Sequence, residues 1–186
     1  MLPLLVVLGV LAVPLVWLVA TFNRLASTRV HLRNSWSDVD VELQRRYELV
    51  PNLVETVKGY AAHEREVLER VVELRNRAAA NHDRPDRQVG DERALESGLG
   101  RLFAVAEAYP ELKASERFLD LQRELANTED RIAAGRRFYN ANVRELNQLC
   151  RTFPSSIVAG VFGFETQGFF ESEAGSRGAP EVEGIS

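Results

Sequence analysis

The chain has 186 residues, 45% of them hydrophobic and 27% charged, with a formal net charge of −4. That length suits about one domain, and the acidic balance excludes a general electrostatic attraction to nucleic acid. A lone cysteine, Cys150, excludes an intramolecular disulfide and a cysteine-rich zinc site; its apolar helical setting marks it as a small core residue.

From Leu2 to Phe22, LPLLVVLGVLAVPLVWLVATF, no side chain is charged. About twenty apolar residues cross a hydrocarbon core of about 30 Å. Residues 1–23 are therefore expected to form a transmembrane anchor that meets the lipid bilayer through residues 2–22. Trp17 and Phe22 suit the interface, and Pro14 is tolerable within a span. No Lys or Arg precedes Arg24 and no small-x-small site lies near VATFNRLAS, which argues against a cleaved signal peptide. Arg24, Arg29 and Arg33 then make residues 24–35 a basic juxtamembrane segment. Positive charge beside a span stays in the cytoplasm. The expected topology in the plasma membrane is a single pass, with the N-terminus outside and the rest of the chain cytoplasmic.

Beyond Trp36 the pattern is helical, and residues 36–171 are expected to form the bundle domain. Tyr47, Val54, Ala61 and Leu68 form one apolar row, and Trp36, Leu43, Val50 and Val57 another, with Leu53, Tyr60, Val67 and Leu74 widening the stripe. The opposite column is Asp38, Arg45, Asn52, Gly59, Glu66 and Glu73. One apolar face and one wet face predict a single packed helix from Trp36 to about Ala80. Pro51 removes one backbone donor and presses on the carbonyl of Tyr47, so a local bend is expected there rather than a boundary.

The stretch NHDRPDRQVGDE reads as a polar turn. A second helix carries Leu95, Leu99, Leu102, Ala106 and Tyr109, and Pro110 suits the first turn of a new helix. A long third helix has the row Phe118, Leu125, Ile132, Tyr139, Leu146 and Phe153, with Arg123, Asp130, Arg137, Arg144 and Arg151 outside. Its companion row holds Gly135, which suits a close helix approach, and Thr128 and Asn142, which suit hydrogen bonds across the seam. IVAGVFGFETQGFF is too short to span a bilayer and reads as a short helix with an extended return onto the bundle. Residues 172–186 read as a disordered tail.

The stretches SWSDVDVELQRRYELVPNLVETVKGYAAHE, YPELKAS, LQRELANTEDRIAAGRRFYNANVRELN and FP followed by FGF resemble the LemA family of bacterial membrane proteins. The resemblance runs from about Trp36 to Phe170. It implies an all-α fold, an antiparallel bundle of long helices on a single N-terminal transmembrane helix. It also implies no established enzymatic activity, and a scaffold role, since some family members are tied to organising bacterial membrane structures. Gly135 departs from the alanine more usual in the family, and the loop after the first helix is unusually rich in arginine and aspartate.

Chemistry-bearing motifs are absent. The residues three before His31, His63 and His82 are Thr28, Tyr60 and Ala79, so the Glu-x-x-His pattern of di-iron bundles is missing. HEREV lacks the second histidine of a zinc protease motif. There is no serine elbow and no phosphate loop. No catalytic residue, metal or cofactor is therefore assigned. A continuous helix would place Arg45 roughly 35 Å beyond Phe22, out of reach of the headgroups across a screening length of about 8 Å.

The remaining candidate is a protein-docking face around the proline: Arg45, Asn52, Glu55, Lys58 and Gly59. Gly59 motivates it, because glycine within an exposed helix costs about 1 kcal/mol relative to alanine and a partner's close approach would compensate. The expected function is a non-enzymatic, membrane-anchored scaffold or adaptor with a protein partner, self-association being one form of that. The alternative is an accessory protein for envelope maintenance that presents clients to a membrane protease.

Overall fold

The computed structural model describes residues 2–80 and 85–170, with side chains described from residue 12 onward except at 86 and 87. The helices are α1 (Leu2–Lys58), α2 (Arg65–Ala80), α3 (Pro85–Ala106), α4 (Pro110–Lys113), α5 (Glu116–Arg151) and α6 (Ser155–Phe162). No strand occurs among the described residues, so the class is all-α. The predicted tail, 172–186, lies outside the described residues, as do residues 81–84 of the predicted polar turn.

The described residues form two compact units, one of residues 2–42 and 131–169, the other of 43–80, 85–130 and Phe170. In the first unit α1 buries Leu25, Thr28, Leu32, Ser35 and Val39, at the three- and four-residue steps of one helix face. Packing thus starts at Leu25, well before Trp36. The partner is α5, through Ile132, Tyr139, Val143 and Leu146. Val39 meets Gly135, Trp36 lies 5.4 Å from Tyr139, and Asn142 Nδ2 donates to Ser35 Oγ at 3.2 Å. As α1 advances α5 recedes, so the pair is antiparallel.

A methyl group on Gly135 would stand 2.8 Å from Val39 Cγ2, so glycine is what permits this approach. Thr128 does not bridge the seam as expected; its hydroxyl donates to Glu124 O of its own helix at 2.9 Å, the local bond open to any helical threonine.

The chain closes this unit through α6, which ends at Gly163 in the left-handed region, φ 68°, where glycine carries no Cβ penalty. An extended return comes next. The Asn147 amide donates to Gln167 O at 2.9 Å and accepts from Gln167 N at 2.8 Å, while Tyr139 Oη donates to Gly168 O at 3.2 Å. Phe153, expected to end the apolar row of α5, is 77% exposed instead; α5 has already ended at Arg151, so the heptad spacing no longer fixes its direction.

In the second unit the predicted helix from Trp36 to Ala80 is a hairpin. α1 runs through Pro51 without a boundary but stops at Lys58, and the chain resumes as α2 at Arg65. Tyr60 N and Ala61 N both bond to Val57 O, and buried Ala61 pins the turn. The apolar row looked continuous because each helix buries one stripe, and Ala61 carries the row across the break. α2 packs on α3, where a methyl on Gly98 would lie 2.7 Å from Leu74 Cδ1. Pro110 opens α4 in its first turn, as expected, and Phe103 of α3 lies 6.2 Å from Phe118 of α5.

Most of the predicted polar turn is helix: α3 starts at Pro85, and Gln88 and Glu92 are buried. Polar composition suggested a loop, but these side chains have partners inside the unit.

Residues 2–22 are helical, and residues 12–20 are exposed on every face of α1. Among the described residues no helix is long and apolar enough to cross a membrane; the first ten residues of the uncharged stretch carry no described side chains.

Candidate docking face and a buried polar cluster

All five residues of the expected docking face, Arg45, Asn52, Glu55, Lys58 and Gly59, are exposed. Two of them border separate grooves. Asn52 borders a groove of about 420 Å³ with Glu116, Arg117, Asp120 and Glu124 at the start of α5. Lys58 borders another, of about 730 Å³, floored by Val54, Ala62, Leu68 and Val72 and rimmed by Arg65, Glu69 and Glu73 of the hairpin. Gly59 lies just past the end of α1, so the cost of a mid-helix glycine does not arise. A methyl group there would meet only the carbonyls of Thr56 and Glu55.

The arginines of the expected juxtamembrane segment divide as well. Arg24 Nη2 stands 3.1 Å from Glu145 Oε1, and the Arg29 guanidinium lies 4.7 Å from the centre of the Phe164 ring. Arg33 is exposed.

The densest polar chemistry lies beside Pro51, in residues that the patterning did not single out. Arg46, 2% exposed, donates through Nη2 to Glu92 Oε2 and through Nη1 to Glu129 Oε2. Tyr47 Oη donates to Glu92 Oε1. Gln88 Nε2 donates to Tyr47 Oη at 3.0 Å and to Glu92 Oε1 at 3.3 Å. Glu92 is 3% exposed, whereas Glu129 is partly open to solvent. Burial, the Glu92 charge and the hydrogen bond to Glu92 together push the Tyr47 hydroxyl well above the ordinary tyrosine range. Sequence held a signal for this cluster. Arg46 falls between Leu43 and Val50, and Gln88 and Glu92 precede Leu95, all at seam spacing; polar residues in apolar columns require partners.

The cluster ties α1, α3 and α5 together. A buried ion network is costly when mismatched, and its best-attested use is to fix register. Pro51 joins the same design. It has no N–H for the Tyr47 carbonyl four residues back, and Arg75 Nε of α2 takes that carbonyl at 2.9 Å. The proline therefore frees an acceptor by which the hairpin is closed. Elsewhere, burial raises the Cys150 thiol above its usual range, with neighbouring Arg151 opposing. Among the described residues no group of three or more His, Cys, Asp or Glu is placed to hold a metal ion.

Residues 35–183 match the model of the LemA family. The chain belongs to the LemA family. It is 27% identical over 137 residues to Protein LemA of Metamycoplasma hominis, covering 74% of this chain and 63% of that protein. It is also 26% identical over 162 residues to magnetosome protein MamQ of Magnetospirillum gryphiswaldense, covering 74% of this chain and 60% of that one. Magnetosome protein MamQ 2 of Paramagnetospirillum magneticum matches at the same identity and coverage. The chain thus spans about six tenths of the length of the curated relatives it matches.

Proposed function

We propose that this LemA-family protein is a non-enzymatic scaffold or adaptor, held at the plasma membrane by residues 2–22 with its helical units on the cytoplasmic side. The supporting observation is the exposure of apolar residues 12–20 on all faces of α1, up to the point where packing begins at Leu25. A helix that is apolar all round belongs in a membrane or a large core, and every one of residues 12–20 stays exposed here. The uncharged stretch from Leu2 to Phe22, at about 1.5 Å per residue, matches a hydrocarbon thickness of about 30 Å. The two grooves beside Asn52 and Lys58 are where a protein partner would dock.

The test uses the full chain in its own membranes. Washing vesicles with alkaline carbonate should leave the protein in the pellet, and protease added to the cytoplasmic side should digest the helical units. Release by carbonate would overturn the anchor; digestion only from the opposite side would overturn the topology. Crosslinking in intact cells should lose a partner on Asn52→Ala plus Lys58→Ala with the helical content unchanged. An unaltered partner profile would overturn docking at these grooves, and a membrane protease as the main partner would favour client presentation over scaffolding.

A further inference from the structure

We infer that α6 is a second membrane contact, a short helix lying in the lipid interface beside the anchor. This rests on the anchor reading. α6 has the sequence SSIVAGVF, without a charge. It buries Val158 and Ala159 against its own unit, yet leaves Ile157 57% and Val161 74% exposed, with Phe153, before the helix begins, at 77%. Ile157 and Val161 lie four residues apart within α6 and share one face. Two large apolar side chains on this uncovered face, with exposed Phe153 just before the helix, make a patch that water does not favour.

The level of this face identifies its occupant. Phe162 lies 4.8 Å from Phe22, ring centre to ring centre, and Phe164 lies 5.8 Å from Phe22. Phe22 is the last residue of the uncharged stretch, and Arg24 lies just beyond it. Pro154 and Ser155, at the start of α6, share a groove with Trp17, Thr21 and Arg24. Trp17 lies about 7 Å before Phe22 along α1, toward the middle of the uncharged stretch, which spans the depth of about 5–10 Å that interfacial helices occupy. The exposed face of α6 therefore sits where acyl chains meet headgroups, continuous with the anchor. The guanidinium of Arg29 over Phe164 places positive charge alongside it, suited to anionic headgroups.

The experiment places a polarity-sensitive NBD label on full-length protein in phosphatidylethanolamine and phosphatidylglycerol vesicles, with nitroxide near the headgroup end of the acyl chains. In a Cys150→Ser background, Ile157→Cys and Val161→Cys carry the label in turn, with Leu18→Cys reporting the anchor and Arg137→Cys a wet helix face. The expected result is blue-shifted emission and lipid quenching at positions 157, 161 and 18, with water-like, unquenched emission at 137. Quenching at 18 without quenching at 157 and 161 would overturn the α6 contact while the anchor stands. Shielding of 157 and 161 from aqueous iodide without lipid quenching would overturn it too, since protein would then cover the face. Absence of quenching at 18 would overturn the anchor and this inference together.

Discussion

Arg75 Nε lies 2.9 Å from the carbonyl oxygen of Tyr47, the acceptor that Pro51 leaves without its helical donor. The bond joins α2 to α1 at a point where Pro51 supplies no N–H. Arg75→Met should therefore lower stability by about 1–3 kcal/mol, the range for a lost hydrogen bond from a charged donor. In a Pro51→Ala background, alanine restores an N–H to the same carbonyl, so the same Arg75 substitution should cost less. Denaturant midpoints of the detergent-solubilised full chain, tracked by circular dichroism, measure both; equal costs in the two backgrounds would refute the relationship.

Arg46 is the centre of the buried cluster, and its removal strands Glu92 without a counter-charge. Arg46→Met should destabilise by about 3–5 kcal/mol, whereas Arg46→Met with Glu92→Met should recover much of that loss, because matched apolar replacement of a buried pair is often neutral. A double replacement as unstable as the single one would show that the pair contributes more than mutual neutralisation. The same denaturation series distinguishes the two cases.

The two close-packed glycines should respond differently to alanine. At Gly98 the obstructing atom is the end of a flexible leucine, Leu74 Cδ1; at Gly135 it is Cγ2 of Val39, with the Val39 backbone 3.8 Å away. Alanine gains about 1 kcal/mol of helical preference at either site, and overpacking costs about 1–3 kcal/mol where the neighbour is stiff. Gly98→Ala is thus expected to be neutral or stabilising and Gly135→Ala destabilising, with Val39→Ala relieving the second. Thermal midpoints of these variants and the parent chain test the ordering.

Tyr47 supplies a pH dependence. Its hydroxyl is held protonated by burial first, and by Glu92 second. A raised folded-state pKa means that the unfolded chain releases this proton first, at the ordinary tyrosine value near 10. Its contribution is therefore full below about pH 10 and declines as pH rises beyond that value. Tyr47→Phe should be less stable at neutral pH, having lost the bond to Glu92, and should show a shallower alkaline decline. Urea midpoints from about pH 8 to pH 11 give both numbers.

Helix class and the antiparallel seams were legible in the sequence because apolar residues at three- and four-residue steps have few alternatives. Gly135 was legible for the same reason: a glycine in a seam column implies close approach, and Val39 supplies it. The hairpin at Gly59 was not. Ala61 continues the apolar row across it, so periodicity alone reads one helix where there are two. The polar cluster escaped because Gln88 and Glu92 lie among turn-forming residues, and their burial depends on Arg46 and Tyr47 some forty positions away. For the docking residues, exposure was readable from the pattern but grouping was not, since Asn52 and Lys58 border different grooves.

The Asn147 side chain meets both polar groups of the Gln167 backbone, donating to one and accepting from the other. A primary amide reproduces the peptide's own pairing, so a single side chain does the job of a neighbouring β-strand. The extended return of residues 164–170 is thereby paired without a strand among the described residues, and it leaves fewer open backbone groups on which a second polypeptide could stack.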